Sequence, residues 1–279
     1  MLTGGRAAVI GLGLIGGSLA KALKAYTGYT VFGLDADPET ERAARHAGAV
    51  DECIAPVELG RAELIFLALC PGDVVQFIKE NHPYIHPGTV VAHCCGVQAR
   101  VMSELTPLAA KHGFLLLGAH PMAGKESGGF QNSEAGLFQG ASLLLVPAPG
   151  AEPAAELLEG LAPRLGFRQA VRTTAKEHDR IISYTSQLPH VLACAYVNSP
   201  SCLRHEGFSA GSYKDVSRVA RINEAMWTEL FLANRDPLTE ELDILIKNLS
   251  LFRDAIQADD AETLSAMLKS ARERKESVG

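Results

Sequence analysis

The sequence of 279 residues predicts an α/β fold with a largely parallel sheet, followed by an all-helical region. Three observations predict it. Short apolar runs alternate with amphipathic stretches in the first part of the chain, a glycine-rich turn joins the first such pair, and strand signals fade near Thr174. At roughly 150 residues per domain the length fits two domains, which we place at residues 1–174 and 175–279.

The first part contains seven apolar runs with the length of buried strands. The run Leu64–Leu69 is apolar at nearly every position, as expected of a parallel strand covered on both faces. The predicted strands are Ala7–Ile10, Thr30–Leu34, Leu64–Leu69, Thr89–His93, Phe114–Ala119, Ser142–Val146 and Gln169–Arg172.

Helical patterns lie between these runs. Asp37 followed by Pro38 is typical of a helix start, with the carboxylate as N-cap and proline in the first turn. The predicted helices are Gly13–Ala25, Pro38–Ala47, Val74–Lys79, Arg100–His112 and Ala154–Leu165.

The second part is predicted to be helical throughout. Ala175–Asn198 has the pattern of one long helix, and Pro189 inside it must remove a hydrogen bond and kink it. Ser199–Ser212 is rich in serine, glycine and proline and is predicted to be a loop. Pro237–Ala258 and Ala261–Lys275 are two further predicted helices.

Composition excludes several classes of protein. The formal charge of −6 argues against a nucleic-acid binder, which would show a basic face. No apolar run reaches the ~18 residues of a membrane-spanning helix, and we identify no signal peptide. The six cysteines lack metal-ligand spacing, so we expect free, mostly buried thiols, no metal and a cytoplasmic location.

The turn after the first strand has the pattern of a dinucleotide site. Gly11 permits a tight turn, Gly13 allows close approach of a pyrophosphate, and Gly16 allows the helix to pack on the strand. Asp35 ends the next strand and can accept both ribose hydroxyls of NAD, whereas it would repel a 2′-phosphate. A glycine-rich turn in a non-binding domain is the alternative. The predicted cofactor residues are Gly11, Leu12, Gly13, Leu14, Ile15, Gly16, Asp35, Cys70, Pro71 and Gly96.

His120 stands just beyond the predicted strand Phe114–Ala119, where ligands bind in sheets of this kind. A histidine there could accept a proton from a substrate hydroxyl while hydride leaves for a nicotinamide. It could equally cap the end of a strand. The polar loop Pro121–Glu126 that follows favours a site.

The helical part contributes further candidates. Ser186 and His190 are four residues apart and share a helix face, and the guanidinium of Arg218 can hold a carboxylate. Trp227 has core packing as its alternative role. His178 is expected to lie in a solvated first turn rather than in a site.

Taken together, four motifs resemble the prephenate dehydrogenase family, which includes arogenate dehydrogenases. They cover nearly the whole chain and are Gly11–Ser18, His120–Glu126, Ser186–His190 and Tyr213–Arg218, the last followed by Trp227 at the family's spacing. The resemblance implies a dinucleotide-binding domain followed by a helical domain that builds a homodimer. It also implies oxidative decarboxylation of prephenate by NAD to 4-hydroxyphenylpyruvate.

The resemblance also implies roles for individual residues. His120 would hydrogen-bond the ring hydroxyl and accept its proton, Arg218 would hold a substrate carboxylate, and Glu126 resembles a position that gates or orders the site. If His120 is the base, activity should rise through the histidine range, roughly pH 6 to 7. The implied substrate-binding residues are Arg218, Ser186, His190, Glu126, Gln187, Trp227 and Lys214.

Three positions depart from the family pattern. Gly96 stands where many relatives have a serine that orients the histidine and contacts the nicotinamide. Gln98 stands where they have a lysine. Gln187 stands where some relatives have a histidine facing the substrate side chain, which leaves the choice between prephenate and arogenate open. We take prephenate as the expected substrate, with arogenate as the alternative.

The two-domain plan also suits two further classes of protein. One is a hydroxyacid or imine reductase, and the other is a non-catalytic NAD-sensing protein. In any of these classes the helical part is expected to form a homodimer. Apolar positions in 225–232 and 238–252 exceed what one small domain would bury, which favours this assembly.

Overall fold

The computed structural model describes residues 4–279 and shows one eight-stranded sheet in the N-terminal part. The spatial order is β3-β2-β1-β4-β5-β6-β7-β8, and neighbours are parallel except for the antiparallel pair β6 and β7. The strands are β1 (Arg6–Ile10), β2 (Thr30–Leu34), β3 (Glu52–Cys53), β4 (Leu64–Leu67), β5 (Val90–His93), β6 (Leu115–Pro121), β7 (Ser142–Pro147) and β8 (Gln169–Arg172).

Helices connect the strands and make up most of the rest of the described chain. They are α1 (Leu14–Tyr26), α2 (Pro38–His46), α3 (Pro71–Asn81), α4 (Ala99–His112), α5 (Glu152–Leu161), α6 (Ala175–Ile182), α7 (Leu188–Val197), α8 (Gly211–Ser217), α9 (Glu224–Ala233), α10 (Arg235–Gln257) and α11 (Ala261–Val278).

The predicted α/β class and all seven predicted strands are confirmed. All four residues of β4 and of β5 are buried, because helices cover both faces of the central strands. Asp37 caps α2 as predicted, accepting from the N–H groups of Glu39 and Thr40. The two-residue strand β3 was not predicted, because it is too short to show an alternating pattern.

The long helix predicted at 175–198 is continuous but changes its winding near Pro189. Between α6 and α7 the segment Ser183–Gln187 forms a π-helical turn, in which the Leu188 N–H donates to the Ser183 carbonyl. A π-turn is a way for a helix to accommodate an interruption of its usual hydrogen bonds, and such turns are frequent at functional sites.

The segment predicted as a loop at 199–212 contains a 3₁₀ turn, Pro200–Arg204, before α8 begins at Gly211. No helix within residues 4–279 is long and apolar enough to cross a membrane. All six cysteine thiols are free, but only Cys95 is fully buried and the other five are half-buried. The expectation of mostly buried thiols is therefore wrong in degree, because several lie near the surface at the ends of strands and helices.

Candidate active site

The turn between β1 and α1 forms an open cradle at the carboxyl end of the sheet. Gly11 has a φ of +82°, and a Cβ there would lie 2.6 Å from the Ala68 carbonyl oxygen. A Cβ at Gly16 would overlap the Gly11 carbonyl oxygen, so only glycine allows α1 to lie this close. No atom lies within 4 Å of the position of a Gly13 Cβ, and Gly13 precedes α1 without a side-chain cap. This leaves room for a pyrophosphate beside the unpaired, partially positive N–H groups of the helix.

Leu12, Leu14 and Ile15, the other residues of the glycine-rich turn, have different surroundings. Leu14 and Ile15 occupy the first turn of α1, where N–H groups have no helical partner. Leu12 is fully buried, and its N–H donates to Asp35 Oδ2 over 2.6 Å. Leu12 therefore packs in the core, and its N–H fixes the turn through Asp35.

Asp35 follows β2 with its carboxylate at the edge of this cradle. Its two oxygens accept from the N–H groups of Leu12 and Asp37, and each retains a lone pair that can accept a ribose hydroxyl. Arg42, the nearest downstream cation in the sequence, is paired with Glu39. Among residues 4–279 no cation pairs with Asp35, so the site fits NAD better than a dinucleotide bearing a 2′-phosphate.

The ends of β4 and β5 form the other side of the cradle. Cys70 and Pro71 begin α3, and the Gly72 N–H in its first turn donates to Glu229 Oε1 on α9 over 2.6 Å. Gly96 follows β5, and a Cβ there would lie 3.9 Å from His120 Nε2 and 3.6 Å from Leu230 Cδ2. Because Gly96 has no side chain, the space where its Cβ would stand is open beside His120 Nε2. We call this space the hollow.

His120 lies near the carboxyl end of β6 and is oriented by a buried chain of hydrogen bonds. His120 Nδ1 lies 2.9 Å from His178 Nε2, and His178 Nδ1 lies 2.7 Å from Asp179 Oδ1. Asp179 also accepts from the N–H groups of Gln98 and Ala99, each over 2.8 Å, at the start of α4. His178 and Asp179 are 2% and 3% exposed. Three donors therefore fix the position of the Asp179 carboxylate at the start of α4.

These contacts determine which nitrogen of each histidine carries a proton. Asp179 accepts, so His178 Nδ1 is the donor to it, and in this tautomer of the imidazole Nε2 is the acceptor. His120 Nδ1 must donate to that acceptor. His120 Nε2 is left with a free lone pair, on the side that faces Gly96. His120 is thus arranged as a proton acceptor.

Burial lowers the pKa of His120 to about 3, with smaller contributions from His178 and His93. Burial likewise lowers the pKa of His93, in the last position of β5, to about 3. His120 is therefore neutral across the physiological range. With the pKa of His120 lowered this far, we expect the activity to titrate at a more acidic pH than 6 to 7, because desolvation disfavours the charged imidazole.

Arg218, directly after α8, forms an ion pair with Glu126, in the loop after β6. Arg218 Nη1 lies 2.7 Å from Glu126 Oε1, and both side chains are largely exposed. The ion pair lowers the pKa of the Glu126 carboxyl. A guanidinium with further free N–H donors can exchange or share this partner with a substrate carboxylate.

His190, on α7, and Trp227, on α9, pack against each other. Their rings stack with centroids 3.8 Å apart, and His190 Nδ1 donates to the Ser186 carbonyl over 2.7 Å, which leaves His190 Nε2 free to accept. Ser186 and His190 are half-buried. The structure brings the helical residues Ser186, His190 and Trp227 together in one cluster.

Gln187 and Lys214 are the two other predicted substrate residues in the helical part. Gln187 is 1% exposed, its Oε1 accepts from Asn234 Nδ2 and its Nε2 donates to the Leu230 carbonyl. Gln187 thus joins the π-helical turn to the end of α9 through its amide, and its contact with a substrate stays a prediction. Lys214 is exposed on α8, and its ammonium forms no ion pair in the part of the chain that the structure describes.

The sequence interpretation missed His178 and Asp179. Gln98, one of the three departures from the family pattern, is buried at the start of α4, where its Nε2 donates to the Cys95 carbonyl. The adjacent pair His178-Asp179 directly after the Thr174 cap was the available signal. Its solvent exposure could not be judged without knowing that α6 packs against α4.

The fold and the site define a dinucleotide-dependent dehydrogenase. Two family models match the chain: the prephenate dehydrogenase nucleotide-binding domain at residues 19–164 and the prephenate dehydrogenase dimerization domain at residues 174–270. The chain belongs to the prephenate dehydrogenase family.

Curated relatives agree with this assignment. The prephenate dehydrogenase of Bacillus subtilis (strain 168) is 26% identical, over 96% of this chain and 74% of that protein. A cyclohexadienyl dehydrogenase of Zymomonas mobilis is 28% identical, over 95% of this chain and 93% of that protein.

Solved structures share the fold. Prephenate dehydrogenase from Aquifex aeolicus, in complex with hydroxyphenyl propionate and NAD+, superimposes with a TM-score of 0.87 at 22% identity, over 99% of this chain and 98% of the other. Synechocystis arogenate dehydrogenase gives a TM-score of 0.83 at 23% identity, over 98% and 100% of the two chains.

Proposed function

We propose that this chain oxidises and decarboxylates prephenate to 4-hydroxyphenylpyruvate, using NAD. The observation that carries the proposal is His120, whose acceptor nitrogen faces the hollow at Gly96 while its other nitrogen is held by His178 and Asp179. A neutral, oriented base at the carboxyl end of a dinucleotide-binding sheet is what the oxidation of a ring alcohol requires.

In the proposed reaction, His120 Nε2 takes the proton of the ring hydroxyl as hydride leaves the same carbon. When bound, NAD supplies the hydride acceptor. The ring carboxylate leaves as carbon dioxide, its bonding electrons complete the aromatic ring, and the phenolic oxygen regains a proton from the imidazolium. Asp179 stabilises the positive charge that develops on His120 and His178 during this step.

Substrate charge is matched by local groups, although the protein as a whole is acidic. Prephenate is a dianion, and Arg218, already turned toward Glu126, can receive one of its carboxylates. Ser186, the free Nε2 of His190 and the Trp227 ring line the adjoining wall and are proposed to contact the substrate. Glu126 is proposed to order the entrance through its pair with Arg218.

We propose NAD contacts at Gly11, Gly13, Gly16 and Asp35, supported by the cradle that lacks any atom at the Gly13 Cβ position. Further proposed contacts are the first-turn backbone of Leu14 and Ile15 and the loops at Cys70, Pro71 and Gly96.

The test is an assay of NADH absorbance with the purified protein, NAD and either prephenate or arogenate. We expect turnover with prephenate, and a loss of about 10²-fold or more in kcat for His120→Gln, which keeps the shape but not the basicity. Turnover with arogenate alone would keep the chemistry of His120 and reassign the substrate. No turnover with either substrate would contradict the proposal.

We also propose that the chain acts as a homodimer in the cytoplasm, with a domain boundary near residue 174. The dimer is supported by the description of the C-terminal family model and the boundary by the change from β8 at Arg172 to α6 at Ala175. The location is supported by six free thiols, since oxidising compartments favour disulfides.

A further inference from the structure

Glu229 places a carboxylate at the start of α3, directly after β4. Its Oε1 accepts the Gly72 N–H over 2.6 Å, and a Cβ at Gly72 would lie only 3.1 Å from that oxygen, so the carboxylate is held against the start of α3. Among residues 4–279 it forms no ion pair. The negative charge is therefore fixed in place without a cationic partner beside it.

The charge of Glu229 reaches the ends of two neighbouring strands. It contributes to raising the pKa of the Cys70 thiol, after β4, and of the Cys95 thiol, after β5, although burial is the larger cause for both. The next residue, Leu230, lies against the hollow of Gly96 beside His120. Glu229 thus faces the β4 and β5 side of the crevice, on the same side as the base.

The sheet order dictates which half of the dinucleotide lies on that side. Strand order reverses between β1 and β4, and the ligand of such a sheet lies across this crevice. Asp35 after β2 fits the adenosine ribose, so the nicotinamide half belongs to the side of β4, β5 and β6. The hydride acceptor must also be on that side to work with His120.

We propose that Glu229 makes the site prefer the oxidised over the reduced form of the nicotinamide dinucleotide, an inference that rests on the proposed use of NAD. The nicotinamide ring of NAD+ carries a positive charge that NADH lacks, and the two are otherwise nearly the same size. A fixed carboxylate therefore attracts one form and is indifferent to the other. The preference would assist binding of the oxidant and release of the reduced product.

The test compares Glu229→Gln with the unmodified protein by titration calorimetry with NAD+ and, separately, with NADH. The amide oxygen of glutamine can still accept the Gly72 N–H, so only the charge is removed. We expect the Kd for NAD+ to rise about 5-fold or more and the Kd for NADH to change less than about 2-fold, as the loss of a nearby unit charge would give. Glu224→Gln removes an exposed carboxylate from the first turn of the same helix and should change neither Kd.

Equal weakening of both dinucleotides in Glu229→Gln would overturn the inference, because it would mean that Glu229 acts only by joining α9 to α3. Unchanged binding of both would overturn it too. Failure of the unmodified protein to bind either form is a separate result: it would overturn the proposed use of NAD and this inference with it. Melting temperatures of both variants, measured in the absence of dinucleotide, show whether any loss reflects unfolding.

Discussion

A histidine accepts a proton from a substrate only if an acceptor nitrogen faces the substrate, and His178 decides this for His120. The direction of every hydrogen bond in the chain follows from Asp179, which can only accept. Gly96 brings no side chain to His120, which is held through Nδ1 by His178. The contact with His178 orients His120, and Gly96 leaves His120 Nε2 open for a substrate proton.

Asp179→Asn should lower kcat by about 10²-fold or more, since an amide can donate to His178 and reverse the hydrogen bonds that orient His120. The measurement is kcat and KM for prephenate at saturating NAD. Asp236→Asn, an exposed carboxylate paired with its neighbour Arg235, is a matched control that should leave kcat unchanged. A normal kcat for Asp179→Asn would contradict the proposed role of the chain His120-His178-Asp179.

The pH dependence follows from the lowered pKa of His120. The neutral form is the base, so activity is retained above its pKa of about 3 and lost as the pH falls toward it. We expect kcat/KM to show no rise due to His120 between pH 6 and 8, in a series of initial rates. A single titration in this range that disappears in His190→Gln would assign that step to His190 instead.

The lowered pKa values of buried histidines also make the folding stability depend on pH, in a different pH range from the activity. His93 and His120 have pKa values of about 3 in the folded chain and bind protons near pH 6.5 when unfolded. Stability is therefore present above pH 6.5 and lost as the pH falls below it, with a slope approaching ~2.7 kcal/mol per pH unit for two protons. Urea unfolding at pH 7, 6 and 5 measures it, and a stability independent of pH in this range would contradict the burial of two neutral histidines.

At the scale of elements, the turn from β1 to α1 shows that glycines in one motif serve different purposes. Gly16 is required by packing, because a Cβ would overlap the Gly11 carbonyl oxygen, whereas Gly13 borders empty space. The same sequence pattern thus combines a structural glycine with one that leaves room for a ligand. The π-helical turn at Ser183–Gln187 similarly combines accommodation of Pro189 with placement of Ser186 and His190.

Gly13→Ala and Gly16→Ala should separate these two roles. Gly13→Ala should retain the melting temperature and weaken NAD binding about 10-fold or more, because the methyl group occupies the space left for the pyrophosphate. Gly16→Ala should lower the free energy of unfolding by about 1–3 kcal/mol, because the methyl group has no room. Thermal unfolding and calorimetric titration measure both, and equal loss of stability in the two variants would refute the distinction.

At the scale of the whole molecule, the C-terminal helices retain an apolar surface that one chain does not cover. Ile246 and Leu249 on α10 are 58% and 52% exposed, and several other large apolar side chains on α9, α10 and α11 are similarly open. Large exposed apolar patches mark interfaces. This surface is the proposed contact between two copies of the chain, in accord with the family model for residues 174–270.

Ile246→Asp should shift the protein from dimer to monomer in sedimentation velocity, because a buried unpaired carboxylate is costly at an apolar interface. Lys247→Gln, the next residue on α10, is the control for altered charge on this helix and should leave the assembly unchanged. A fully dimeric Ile246→Asp protein would place the interface elsewhere.

Much of this protein was determined by local sequence alone. The alternation of apolar runs, the glycines of the first turn, Asp35 at the end of β2 and the cap at Asp37 act through residues close in the chain, so the strands, the cofactor motif and α2 could be predicted. The position of His120 at the end of β6 followed from the same pattern.

Tertiary structure decided the rest: burial lowered the pKa of His120, packing of α6 on α4 joined His178 and Asp179 to it, and α9 occupied Gln187 and brought Glu229 to Gly72. Such effects depend on contacts between residues 43 to 157 positions apart, and no local pattern records whether a side chain at that distance is buried or paired.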